Sequence, residues 1–155
     1  MQIHPAAIGD ENGIAAVHIR AWQTGYRHIV ADEYLNNLDV RSRAARWLEV
    51  IRDQTCDFIV AKIDGKVAGF TTFGESRSEQ SPKATGEIWT LYVDPQYWRC
   101  GVGKALMTEA LTSLRSSGFE NVLVWVLQDN NRAIAFYQSC GFAIEPSSSQ
   151  VFKLG

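Results

Sequence analysis

Between Glu87 and Met107 the chain reads EIWTLYVDPQYWRCGVGKALM, in which an apolar run passes through a Gly-x-Gly turn directly into helix-forming residues. That order builds an anion site. The first turn of a helix has unpaired backbone N–H groups and a partial positive charge, so a phosphate placed there satisfies both. Gly101 and Gly103 carry no side chain that would keep a phosphate off the backbone. A glycine turn before a helix also serves plain packing, so the motif has to be weighed by its surroundings. Two nucleotide loops are excluded: a phosphate loop of the Walker type needs glycine where Trp98 stands and Ser or Thr where Ala105 stands, and a dinucleotide fingerprint needs a third glycine in place of Leu106.

Metal and thiol chemistry find no comparable pattern. Cys56, Cys100 and Cys140 are far apart, and with His4, His18 and His28 they form no group with metal-ligand spacing, so no metal is expected and the thiols are read as reduced. The chain has 155 residues, 46% apolar and 21% charged, with a formal net charge of -2. This describes one globular domain over residues 1–155 and offers no broad attraction for a phosphate backbone, so nucleic acid is not expected as a partner. The opening MQIHPAAIGDENG lacks a basic start with an apolar run behind it, and no stretch nears the roughly 20 apolar residues that span a bilayer. A cytoplasmic protein without membrane contact is the expectation.

The elements that must position the glycine turn follow from periodicity. Gln2 to Ile8 reads as a strand. Asp10 is expected to cap a helix with Ile14, Val17, His18, Ala21, Trp22 and Tyr26 along one stripe, and Asp32 and Asp39 to cap two more. From Cys56 the pattern changes to FIVAKI, an Asp64-Gly65 turn and KVAGFTTF, a hairpin. The polar run from Glu75 to Thr85 reads as a loop, expected to be the least ordered part. A strand to Val93 then leads to the glycine turn and to a helix from about Gly103 to Ser117, stopped by Gly118. Asn121 to Leu127 predicts a strand buried on both faces, hence central. Asn130 to about Cys140 predicts a helix ended by Gly141, and Phe142–Ile144 with Val151–Leu154 a terminal strand pair.

Two segments in this order resemble the GNAT superfamily of acyl-CoA-dependent N-acyltransferases. LYVDPQYWRCGVGKALM is similar to its pyrophosphate loop, Gln/Arg-x-x-Gly-x-Gly/Ala, and DNNRAIAFYQSCGF is similar to its Asn-x-x-Ala-x-x-Phe-Tyr helix with Gly-Phe after it. Asn130, Ala133, Phe136, Tyr137, Gly141 and Phe142 fall in the matching places, and the likeness runs from about Cys56 to Phe142. The loop departs from the family pattern at its first position, where Trp98 replaces Gln or Arg; Arg99 follows, and Cys100 stands where a basic residue is common.

The resemblance implies a mixed α/β fold: a mostly antiparallel sheet of six to seven strands, helices on both faces, and a V-shaped opening between the fourth and fifth strands where acetyl-CoA lies. It implies direct transfer of acetyl to a primary amine with both substrates bound. Leu91, Tyr92 and Val93 would meet the pantetheine arm beside a bulge, a backbone N–H at or next to Val93 would hold the thioester carbonyl, and Arg99, Cys100, Gly101, Val102, Gly103 and Lys104 would take the pyrophosphate. Asn130, Ala133 and Phe136 complete the cofactor set, and Asn131, Arg132, Lys104 and Arg99 would be in reach of the cofactor phosphates, against simply facing solvent.

Tyr137 is the expected acid that protonates the departing sulfur, against a plain packing role, and Glu87 the candidate base, against a solvated strand-edge charge. Trp22 and Tyr26, four apart on one helix face, are expected to line an acceptor pocket with Trp47, Tyr34 and Trp89, unless they are simply core. A non-catalytic acyl-CoA-binding module of the same fold is the alternative function. The acceptor stays open between a protein N-terminus, a lysine, a polyamine, an amino sugar and a drug-like amine, and a homodimer is the default assembly.

Overall fold

The computed structural model describes residues 1–77 and 84–145. Five strands form one sheet in the order β1-β2-β3-β4-β5: β1 Gln2–Pro5, β2 Asp57–Ile63, β3 Lys66–Glu75, β4 Thr85–Val93 and β5 Asn121–Val124. The first three pairings are antiparallel and the β4–β5 pairing is parallel. The helices are α1 Glu11–Gly25, α2 Asp32–Asn36, α3 Val40–Asp53, α4 Val102–Ser116 and α5 Asn131–Ser139.

Local chemistry explains most of these bounds. Asp64 and Gly65 both have positive φ, 53° and 77°, which is what a two-residue hairpin turn with the right twist requires. Asp39 caps α3 by accepting from the Arg41 and Ser42 N–H groups. Asp10 and Asp32 do not cap as expected. Asp10 turns back to accept from the Ala7 N–H at 3.0 Å and pairs with Lys62 at 2.8 Å, while α2 begins behind Ala31 with Asp32 as its first residue.

Two cores flank the sheet. Ile14 and Val17 of α1 and Ile51 of α3 pack on Phe58, Val60 and Phe70 on one face. Met107, Ala110 and Leu114 of α4 pack on Phe73 and Ile88 on the other, with Phe136 and Tyr137 of α5 beside them. Helices therefore cover both sides of the sheet.

The strand count corrects the expectation of six to seven: five strands are present among the described residues. Phe142–Ile144 forms no strand, and its expected partner Val151–Leu154 lies outside the described residues, as does the part of the expected loop at 78–83. The strand expected over Asn121–Leu127 ends at Val124 and is the edge of the sheet among the described residues, not its centre. An apolar run long enough for a central strand becomes a short one because its neighbour turns away. No helix among the described residues is long and apolar enough to cross a membrane.

Candidate active site

β4 and β5 pair only from Thr85↔Asn121 to Ile88↔Val124. At the next residue β4 has a bulge: Thr72 of β3 pairs with Thr90 and Phe73 with Ile88, so Trp89 is the extra residue. The bulge swings the second half of β4 off the direction of β5 and opens a wedge between them.

Backbone polarity in the wedge follows from register. The Asp94 N–H donates to the Ala68 carbonyl at 2.8 Å, so by antiparallel alternation Tyr92 directs its peptide groups toward β3, whereas Leu91 and Val93 direct theirs into the wedge. The Val93 carbonyl is taken by the Trp98 indole N–H at 2.9 Å. The Val93 and Leu91 N–H groups and the Leu91 carbonyl thus face an opening in which an extended, amide-bearing arm has room to pair.

The wedge leads to the glycine turn. Asp94, almost fully buried, caps the 3-10 turn Pro95–Tyr97 and binds Arg20 of α1 through Nε at 2.9 Å, which fixes where the loop leaves the sheet. Arg99 and Gly101 then adopt left-handed backbone, φ 65° and 85°, and curl the chain into α4. The first bond that closes the helix runs from Ala105 N–H to Gly101 carbonyl, so the N–H groups of Val102, Gly103 and Lys104 have no partner within α4. A Cβ on Gly101 would meet nothing within 4 Å, so the space in front of this helix end is open. A phosphate group fits that combination of free donors, helix dipole and open approach. Arg99, Cys100 and Lys104 are exposed around it.

Gly103 serves packing as well. Its missing side chain makes room for Phe136, whose ring lies 3.1 Å from where a Cβ would stand. Asn130, almost fully buried, accepts from the Ala133 N–H at 3.2 Å and so holds the start of α5. One turn beyond Ala133, Phe136 and Tyr137 pack edge to face at 5.4 Å, and Tyr137 meets Phe142 at 5.9 Å. Burial raises the Tyr137 pKa well above the ordinary phenol value, so its proton stays on the oxygen at neutral pH. Tyr137, Phe136, Ala133 and Asn130 line the same cleft as Leu91, Val93 and the glycine turn.

On the opposite side of β4 lies an aromatic group. Tyr92 turns its ring away from Leu91 and Val93 and stacks on His18 at 5.0 Å. Trp22 meets Tyr26 edge to face at 4.6 Å, with Tyr34 at 6.2 Å and Tyr92 at 6.4 Å. Trp22, Tyr26 and Tyr92 all line the cleft. Burial raises the pKa of Tyr26, and of Tyr92 well above its ordinary value, so both are neutral phenols. Glu87 is buried, not a solvated strand-edge charge; its carboxylate accepts from the Arg77 N–H at 3.2 Å and the Ser76 hydroxyl at 3.3 Å.

Sequence reasoning missed His18, and it named Trp89 only as a candidate acceptor-pocket residue and Arg132 only as a candidate phosphate contact, without the positions they take. His18 accepts the Trp47 indole N–H at 3.1 Å, and burial, with the nearby Arg43 charge, lowers its pKa to about 4, so it supports Tyr92 as a neutral ring. Trp89 is the bulge itself, with Arg77 stacked 3.9 Å over its ring. Arg132 lies 3.7 Å over Trp98 and reaches toward Gly25 at the end of α1. Arg132 and Trp98 stand 34 residues apart, and no local pattern announces such a pair. Among the described residues no group of three metal-ligating side chains occurs.

Residues 18–142 match the family model described as Acetyltransferase (GNAT) family. YuaI of Bacillus subtilis, named as an N-acetyltransferase, is 34% identical over 137 residues, covering 88% of this chain and 77% of that protein. The PaiA N-acetyltransferase of Thermoplasma acidophilum, solved in complex with coenzyme A, has the same fold at a TM-score of 0.78 and 24% identity, over 93% of this chain and 90% of that one. YncA of Salmonella typhimurium, solved with its cofactor acetyl-CoA, aligns at a TM-score of 0.68 and 25% identity over 92% of this chain and 79% of that one.

Proposed function

The chain belongs to the GNAT acetyltransferase family, and from that premise we propose that it moves an acetyl group from acetyl-CoA to a primary amine by direct attack with both substrates bound. The observation that carries this reading is the continuous cleft in which the split between β4 and β5, the free N–H groups that open α4 and the Tyr137 phenol all meet.

Acetyl-CoA, when bound, supplies an acetyl group activated as a thioester. The N–H groups of Val102, Gly103 and Lys104, with the Arg99 and Lys104 side chains near them, hold the diphosphate. Leu91 and Val93 pair with the pantetheine arm through the backbone groups that β5 leaves free. The Val93 N–H then stabilises the negative charge that develops on the carbonyl oxygen. Glu87, through water, takes the proton that the attacking ammonium must lose, and Tyr137 gives its phenolic proton to the departing sulfur. Burial keeps Tyr137 protonated, and the Arg77 N–H and the Ser76 hydroxyl orient the Glu87 side chain. Asn130, Ala133 and Phe136 form the wall that fixes Tyr137 beside the arm, and Trp22, Tyr26 and Tyr92 form the acceptor wall.

The test is a coenzyme A titration followed by steady-state release of free thiol from acetyl-CoA in the presence of a panel of primary amines. Binding together with amine-dependent release is expected. Binding without release from any amine would leave a binding module and overturn the proposal.

A further inference from the structure

Arg132 brings a guanidinium into the cleft with no carboxylate to meet it. It is the second residue of α5 and stacks 3.7 Å over the Trp98 ring. One of its terminal nitrogens stands 2.8 Å from where a Cβ on Gly25 would be, and Trp98 Cη2 stands 3.9 Å from the same point. The glycine turn, the start of α5 and the end of α1 therefore meet at this group. Gly25 has no positive φ that calls for glycine; its missing side chain leaves room for the guanidinium. Arg20 of α1 and Arg27 just beyond it are satisfied by Asp94 and Asp32. Arg132 forms no ion pair and donates no hydrogen bond among the described residues, although Asp129 and Glu145 line the same cleft.

The surroundings suit an oxyanion with two oxygens in a plane. An arginine on an aromatic face is attracted by the ring and held flat, so part of its rotamer freedom is lost before a ligand arrives. Stacking engages the face of the guanidinium and leaves the N–H edge for a carboxylate or phosphate. The titratable groups that face Arg132 are Tyr26 and Tyr137, both kept neutral by burial. Phenol hydroxyls donate to an oxyanion and put no negative charge in its way.

That oxyanion has two sources, a phosphate of coenzyme A or a carboxylate of the acceptor, and position favours the acceptor. No atom lies within 4 Å of a Cβ on Gly101, so Arg132 stays clear of the space in front of α4 where the Val102, Gly103 and Lys104 N–H groups are free. It leans instead on the end of α1, the helix that carries Trp22 and leads into Tyr26 of the acceptor wall. Arg132 and Tyr137 are five residues apart on α5, about 7 Å along the helix axis. One small molecule spans that distance with a carboxylate at one end and the reacting amine at the other.

We infer that the acceptor is an amino acid, with its primary amine and its carboxylate on one small apolar body, and that Arg132 on its Trp98 platform takes the carboxylate. This rests on the acetyl-transfer reading of the same cleft. The rings of Trp22, Tyr26 and Tyr92 wall in the apolar body.

The experiment measures kcat/KM with saturating acetyl-CoA for L-phenylalanine and L-leucine, each against its own amide. The acids are expected to exceed the amides by about tenfold or more, as a charge-assisted pair allows. A carboxylate makes the neighbouring ammonium hold its proton more tightly, so amine reactivity favours the amides and a preference for the acids reports recognition. In Arg132→Gln, which removes the charge, and in Gly25→Ala, which displaces the guanidinium, the ratio of acid to amide should fall toward one. Coenzyme A affinity of Arg132→Gln, by calorimetry, should stay within about twofold of the parent. An unchanged ratio with affinity lost about tenfold in that variant would assign Arg132 to a cofactor phosphate and overturn the inference. Equal or better use of the amides by the parent protein, or turnover of other primary amines with neither acid used, overturns it while leaving acetyl transfer intact. Coenzyme A binding with no turnover of any amine overturns the acetyl-transfer reading and the inference with it. The comparison within the parent protein decides the matter even if a variant fails to fold.

Discussion

A Cβ placed on Gly103 would stand 3.1 Å from two atoms of the Phe136 ring. The glycine at the start of α4 and the helix that carries Tyr137 therefore share a contact, and the absent side chain makes room for the seating of α5. A larger residue at this position has two separable consequences.

Gly103→Val is expected to weaken coenzyme A binding at least tenfold, about 1.4 kcal/mol, and to destabilise the fold by about 1–3 kcal/mol through overpacking. Adding Phe136→Leu should restore part of the stability, with a coupling of about 1 kcal/mol in the double-mutant cycle, but not the affinity. Denaturant midpoints and calorimetric titrations on the four proteins check this. Recovery of affinity in the double variant would mean that the loss came from packing and not from blocked phosphate approach.

Tyr137→Phe removes one oxygen and keeps the ring that meets Phe136 and Phe142. No hydrogen bond ties that hydroxyl to another described residue, so the melting temperature and coenzyme A affinity should hardly change. Turnover should fall about tenfold to a hundredfold, less than full acid catalysis gives, because a thiolate is already a fair leaving group. Full activity in this variant would remove Tyr137 from the chemistry.

Glu87→Gln retains an oxygen that can accept from the Arg77 N–H and Ser76, so the local structure should persist. The amide cannot take a proton. We expect kcat at neutral pH to drop about tenfold or more with coenzyme A affinity unchanged, measured as kcat and KM over a range of pH for both proteins. An unaltered pH–rate profile would assign Glu87 to holding the start of the β3–β4 connection.

His18 links stability to pH. Its folded pKa of about 4 lies below the ordinary 6.5, so the unfolded chain takes up a proton first as pH falls. The stabilisation from neutral His18 is complete above the unfolded value and is lost as pH drops from 6.5 toward 4. Between pH 7 and pH 5 the loss should be about 2 kcal/mol in urea unfolding. His18→Gln, which can still accept from the Trp47 indole but does not titrate, should flatten that part of the curve.

Much of the site is legible in the amino-acid sequence by itself. The Asp64-Gly65 turn, the Asp39 and Asn130 caps and the glycines after α4 and α5 act through bonds and backbone angles a few residues apart, so the sequence carries them directly. The same holds for the anion site, because a Gly-x-Gly turn before a helix creates free N–H groups wherever it occurs. The two motifs at Trp98–Gly103 and Asn130–Phe142, taken together and in order, carry the resemblance to the family.

Tertiary structure decided what local rules cannot reach. The length of β5 depends on a bulge at Trp89 that exists only in the pairing of β4 with β3, so an apolar run that reads as a central strand ends after four residues at an edge of the described sheet. Asp10 is drawn from its expected cap by Lys62, a residue 52 positions away. Tyr92 stands between Leu91 and Val93 in the chain, but strand alternation sends its ring to the opposite face, against His18 and Trp22. Whether a buried indole N–H finds a partner is settled by everything that packs around it, which is why only the folded chain shows that those of Trp22 and Trp89 have none among the described residues.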